Sequence, residues 1–80
     1  MKNYSEMSIS EIAAVISHDW KKMYFGAVPY VNAMFSLESI NDAYYADSGY
    51  SIVNYFLANA GTWRGEVAKA IKVELKKRAK

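Results

Sequence analysis

The stretch SISEIAAVISHDWKKMY, residues 8–24, carries the clearest helical pattern in the chain and decides the fold. Ser8 and Glu11 have the spacing of a capping box, in which the hydroxyl accepts a hydrogen bond from one helix-start amide and the carboxylate accepts one from another. Apolar residues then recur every three to four positions, as on one face of a helix: Ile9, Ile12, Ile16, Trp20 and Met23. We predict a helix from Ser8 to about Tyr24, ended by Phe25-Gly26, where Gly26 is free to take a positive φ.

Three further helices follow from the rest of the chain. Pro29 suits the first turn of a helix, Asn41-Asp42 is typical of a helix end, and the polar stretch NDAYYADSG is typical of a loop. Thr62 is a good N-cap for the last helix, which would then hold Gly65 in its first turn. The predicted segments are helices at Pro29 to about Ile40, about Gly49 to Ala60, and Trp63 to about Arg78, with a loop at residues 41–49.

These segments predict an all-α fold in one domain. Eighty residues suffice for a single core, and strand patterns are nearly absent. We expect one helical domain over residues 1–80, a small bundle of four helices (three longer, one short) with antiparallel neighbours, and residues 1–7 as a frayed N-terminus.

Charge is distributed unevenly along the chain. Residues 1–60 carry three basic and six acidic side chains, whereas residues 61–80 carry seven basic and two acidic ones. On the last helix the lysines form a stripe opposite the apolar face, and such a stripe is either a solvated surface or a phosphate-binding one. The candidate nucleic-acid-binding residues are Lys69, Lys72, Lys76 and Lys80.

Residues 56–70 resemble a helix-turn-helix only in part. Gly61 lies where such motifs place their turn glycine, but Leu57 stands where a small residue is usual and polar Thr62 stands where an apolar one is usual. The lysines also lie late in the second helix, whereas bases are read by its first turns. We therefore expect no helix-turn-helix here.

Groups that would carry out covalent chemistry are few. The chain has no cysteine and a single histidine, His18, which does not face its neighbour Asp19 on a helix. The carboxylates are scattered, and no phosphate-binding glycine loop occurs. We predict a protein that is not an enzyme, with no catalytic residues, no metal site and no cofactor.

Tyrosine is abundant, with seven among 80 residues. Tyrosine suits both the edge of a core and a binding surface, so both readings stay open. Tyr44 and Tyr45 are adjacent and cannot share one helix face. Because aromatic residues and arginine dominate interface energetics, the candidate protein-binding residues are Tyr44, Tyr45, Tyr50 and Arg64.

Two patterns resemble a family of short uncharacterised proteins of Gram-positive phages and integrative mobile elements. They are PY..AM..L..I.D.Y..DSG over Pro29–Gly49 and YFL.NA.TWRGE.A..IK.EL over Tyr55–Leu75. The family has no known catalytic motif, so the resemblance transfers no functional residue. It implies a genetic context in which small proteins often bind and inhibit a host or rival macromolecule, as anti-restriction and anti-CRISPR proteins do.

Three functions remain open at this point. The first is a small non-catalytic binding protein that modulates or inhibits a protein partner, the second a nucleic-acid-binding protein that uses the basic C-terminal helix, and the third a homo-oligomeric structural subunit. Neither a signal peptide nor a membrane-spanning run is recognisable, so we expect a cytoplasmic protein that does not act at a membrane.

Overall fold

Four helices and one short hairpin make up the fold in the computed structural model, which describes residues 3–79. A 3-10 turn at Tyr4–Glu6 precedes the first helix. The elements are α1 (Ile9–Asp19), α2 (Val28–Met34), the antiparallel strands β1 (Ala43–Tyr44) and β2 (Asp47–Ser48), α3 (Gly49–Ala58) and α4 (Glu66–Arg78). The predicted helical bundle is thus confirmed in outline, and the hairpin is an addition to it.

The helices run alternately between two ends of the molecule. The amides of Ile9 and Ser10 at the start of α1 donate to the carbonyls of Glu38 and Leu37, which follow α2. This is the hairpin end, because β1 and β2 come next in the chain. The α1–α2 loop (residues 20–27) and the α3–α4 loop (residues 59–65) meet at the opposite end, which we call the loop end.

An aromatic cluster ties the loop end to the core. The rings of Trp20 and Trp63 stack at a centroid distance of 5.7 Å, and Phe56 meets both edge-on. All three are buried. The remaining large core side chains come from all four helices and form one core with this cluster: Ile9, Ile12, Ile16, Val31, Met34, Leu37, Ile52, Val53, Ile71 and Leu75.

Helix α1 begins as predicted and ends earlier. The capping box is present, with Ser8 Oγ accepting from the Glu11 amide at 3.1 Å and the Ser8 amide donating to Glu11 Oε1 at 2.9 Å. The prediction that the helix runs to Tyr24 is wrong, since α1 ends at Asp19. Trp20 leaves helical geometry at ψ 79°, and its ring reaches the stack on Trp63. Gly26 is free to take a positive φ but does not adopt one.

The other helices are also shorter than predicted. Helix α2 ends at Met34 instead of Ile40, because the Leu37 and Glu38 carbonyls bind the start of α1. The predicted loop at residues 41–49 contains the hairpin instead. Helix α3 ends at Ala58, two residues early.

Helix α4 starts three residues later than predicted. Its N-cap is Gly65, at φ 115°, and not Thr62. Trp63 lies in the connecting loop because its indole fills the core beside Trp20. The loop of seven residues is longer than the three- or four-residue turn of a helix-turn-helix, in agreement with the expectation that no such motif is present.

Arg78 holds the segment before α1, which we expected to be frayed. Its guanidinium donates to the carbonyls of Tyr4 and Met7, both at 2.8 Å, and to Glu74 Oε2 at 2.7 Å. Arg78 thus connects the end of α4 to residues 4–7, while Met1 and Lys2 lie outside the described residues.

Candidate interaction surfaces

The structure places three of the four candidate protein-binding residues together. Tyr44 and Tyr45 belong to the hairpin, and Tyr50 lies in the first turn of α3 directly after it. Tyr44 is half-buried, Tyr50 is exposed, and Tyr45 is 90 % exposed. Arg64 is exposed as well, but it lies at the loop end, so the four residues do not form one surface.

Tyr45 occupies the tip of the hairpin in an unusual backbone conformation. Tyr44 pairs with Asp47, which leaves Tyr45 and Ala46 as a two-residue turn. Tyr45 has φ 56°, and among the described residues no other except glycine has a positive φ. Turns of this kind favour glycine or asparagine at such a position, because a Cβ crowds the backbone there.

The ring of Tyr45 makes little contact with the fold. It meets the Tyr44 ring edge-on at a centroid distance of 4.7 Å, and the rest of it faces solvent. One carboxylate lies close to the tip, since Asp47 is the first residue of β2 and is exposed. The exposed residues Glu38 and Asp42 lie nearer the base, and exposed Lys76 and Lys77 belong to the end of α4, which lies at the same end of the molecule. The hairpin end therefore presents an exposed aromatic tip with Asp47 beside it.

The base of the hairpin is firmly held. The Asp42 carboxylate accepts from the amides of Glu38 and Ser39 at 2.9 and 3.2 Å, and the Asp42 carbonyl accepts from the Gly49 amide at 2.7 Å. A Cβ on Gly49 would lie 2.5 Å from the Ile40 carbonyl oxygen, so only glycine fits there. These contacts fix the direction in which the tip points.

The lysine stripe on α4 is less uniform than its spacing suggests. Lys69 and Lys76 are exposed, whereas Lys72 is half-buried and its Nζ donates to the Trp63 carbonyl at 2.6 Å. Burial lowers the pKa of Lys72, and the charges of Lys76 and Arg64 lower it further. Lys72 thus has a structural contact of its own. Lys80 lies outside the described residues.

The sequence interpretation missed a second exposed aromatic pair, at the loop end. Phe25 is 80 % exposed and Tyr24 is 42 % exposed, and their ring centroids lie 4.9 Å apart. We had assigned both to the end of the first helix. The run KKMYF over residues 21–25 was the available signal, because it sets two lysines close before two aromatic residues, with only Met23 between them.

His18 and Asp19 are the last two residues of α1. His18 is exposed in the last turn of α1, and the Asp19 carboxylate accepts from Trp63 Nε1 at 2.9 Å. Within residues 3–79, no three His, Asp or Glu side chains are grouped so as to hold a metal ion. In the same range, every buried side-chain nitrogen and oxygen has a hydrogen-bond partner.

No helix in the described part of the chain has the length and apolar character needed to cross a membrane. No protein-family model, curated protein or solved structure matches this chain.

Proposed function

We propose that this chain is a small non-catalytic binding protein, and that its hairpin tip inserts into a partner protein. The observation that carries the proposal is Tyr45, a bulky aromatic residue at φ 56° that is 90 % exposed. Neither the backbone nor the core accounts for tyrosine at this position. Strained residues of this kind cluster where the structure serves binding or catalysis.

The chemistry of the tip fits protein recognition. Tyrosine offers a large, stiff ring and a hydroxyl, and it is among the residues that most often carry the energy of an interface. Tyr44 packs against the ring, and Tyr50 is a further exposed aromatic residue at the start of α3. The exposed carboxylate of Asp47 beside the tip favours a basic residue at the matching position of the partner.

Such a surface is what a modulator or inhibitor of a macromolecule needs. An inhibitor works by occupying a surface, so it requires a rigid tip and no reactive centre. The anchored base of the hairpin supports this role, because little conformational freedom is lost when the tip binds. The resemblance to proteins of mobile elements favours a host or rival macromolecule as the partner.

Site-specific photocrosslinking in the cells that make the protein tests this proposal. A photoreactive phenylalanine analogue replaces Tyr45 in one variant and Asn32, an exposed residue of α2, in a matched control. We expect a discrete protein adduct from position 45 and none of the same mass from position 32. Equal or absent adducts at the two positions would contradict the proposal.

The captured protein is then purified and its affinity measured directly. We expect it to bind the wild type and to lose at least about tenfold in affinity for Tyr45→Asn, since hot-spot residues contribute more than about 1–2 kcal/mol. Asparagine tolerates the backbone conformation of the tip, so a loss of binding could not be attributed to unfolding.

A further inference from the structure

The loop end combines residues from two loops that are far apart in sequence. The Trp20–Trp63 stack joins the bases of the α1–α2 and α3–α4 loops. The two loops also meet outside this stack. A Cβ on Gly26 would lie 3.0 Å from Asn59 Oδ1, so the backbone of one loop is in close contact with a side chain of the other. Side chains on the two loops therefore share one surface, although about 40 residues separate them.

Two aromatic rings form the centre of this surface. The Tyr24 ring lies over the backbone of Gly26, where a Cβ would come within 2.5 Å of Tyr24 Cε2. Phe25 packs against Tyr24 and remains 80 % exposed, so most of its ring contacts nothing in the fold. Exposed large apolar rings of this kind mark interaction sites.

Three cations belong to the same two loops as the rings or their neighbours. Lys21 and Lys22 are exposed and lie two to four residues before the aromatic pair, with Met23 between, and Arg64 is an exposed residue of the other loop. The two acidic residues of this end are Asp19, which accepts a hydrogen bond from the Trp63 indole, and Glu66 in the first turn of α4. Positive charge therefore predominates around the rings.

We propose that the loop end binds single-stranded nucleic acid, with Tyr24 and Phe25 stacking on bases and Lys21, Lys22 and Arg64 contacting phosphates. Surfaces that bind single strands combine exposed aromatic rings with cations, because every base has a π face and every phosphodiester carries a negative charge. An acidic protein would match the cations but would not require exposed rings. This surface is separate from the Tyr45 tip, so the present inference does not rest on the function proposed above.

A duplex fits this surface less well. Duplex readers place the first turns of a helix in the major groove. Here the first turn of α4 carries Glu66, and the preceding Trp63 is buried in the core. The inference also differs from the lysine stripe predicted on α4, because only the loop end has exposed rings beside its cations.

Fluorescence anisotropy with labelled oligothymidylate and oligouridylate tests the proposal. We expect saturable binding of at least one strand at about 20 mM NaCl, and three phosphate contacts should give a slope of log K against log [salt] near −2. The absence of binding to both strands, or tighter binding to duplex of the same length, would overturn the proposal.

Matched variants locate the surface. Phe25→Ala should weaken binding about 5- to 150-fold, because one base loses the ring on which it stacks. The control Phe35→Ala removes an exposed phenylalanine ring at the hairpin end and should leave binding unchanged. Lys22→Ala should make the salt slope less negative by about 0.7, and Lys77→Ala, at the far end of α4, should not. Equal effects within each pair, in variants with wild-type circular dichroism, would refute the assignment.

Discussion

Replacing Tyr45 with asparagine should raise the free energy of unfolding, although the replacement removes an aromatic ring. A positive φ costs an ordinary L-residue about 1–2 kcal/mol, and asparagine avoids much of this cost because its short side chain bonds locally. Tyr45 has φ 56° at a two-residue turn, so the substitution should relieve about 1 kcal/mol of strain.

The lost ring contact offsets part of this gain. Among the aromatic rings of the described residues, the Tyr45 ring contacts that of Tyr44 alone. An exposed edge-on pair of this kind contributes about 0.5 kcal/mol to the free energy of unfolding. The net expectation for Tyr45→Asn is a gain of about 0.5 kcal/mol, which corresponds to a Tm higher by about 2–4 °C for a domain of this size.

Two further variants separate strain from contact. Tyr45→Ala loses the ring and keeps most of the strain, so it should be less stable than the wild type by about 0.5 kcal/mol. Tyr45→Phe changes neither and should match the wild type. Urea unfolding followed by tryptophan fluorescence measures all three, since Trp20 and Trp63 are stacked in the core. If Tyr45→Asn is as destabilised as Tyr45→Ala, the ring holds the hairpin together and the functional argument for Tyr45 fails.

Three further predictions concern the rest of the fold. Gly49→Ala should lower the free energy of unfolding, measured by urea titration, by about 2 kcal/mol or more, because its Cβ would overlap a backbone carbonyl oxygen at 2.5 Å. Gly61 has open space around it, so Gly61→Ala should leave the free energy of unfolding unchanged. Arg78→Met should cost about 2–3 kcal/mol in the same assay, since it removes three hydrogen bonds and leaves the nearly buried Glu74 carboxylate with only the longer ion pair to Lys77, at 3.8 Å. Lys77→Ala should stay within about 0.5 kcal/mol of the wild type, because the Lys77 ammonium is exposed. Burial lowers the pKa of Lys72 below 10.5, so the folded state binds that proton less tightly than the unfolded chain does. The free energy of unfolding of the wild type, relative to that of Lys72→Met, should therefore rise as the pH approaches 10.5. A difference that stays constant with pH would contradict this.

Local signals account for much of what could be predicted of the fold. The Ser8–Glu11 capping box acts within one helical turn, so the start of α1 is readable from four residues. The isoleucines of α1 follow helical spacing and are all buried. These features depend only on neighbours along the chain, and the number and order of the helices follow from them.

Helix ends depended on contacts that no local pattern contains. Helix α1 stops at Asp19 because Trp20 stacks on Trp63, which is 43 residues further along the chain. The start of α4 moves to Glu66 for the same reason, since Trp63 is drawn into the core. Arg78 likewise binds carbonyls more than 70 residues away along the chain.

The candidate sites were predictable only in part. The adjacent tyrosines at residues 44 and 45 were recognisable as candidate binding residues, but the hairpin that strains Tyr45 requires pairing between β1 and β2. Phe25 was assigned to the end of a helix, and its exposure became visible only with the earlier end of α1. Which exposed residues share a surface depends on how the two ends of the bundle are assembled.

The affinity of the photocrosslinked partner for Tyr45→Asn, measured beside the wild type and Tyr45→Phe, tests the central claim most directly. A tip that serves recognition predicts that the asparagine variant is at least as stable as the wild type and binds at least about tenfold more weakly. Undiminished affinity in that variant would show that the partner is recognised elsewhere on the molecule.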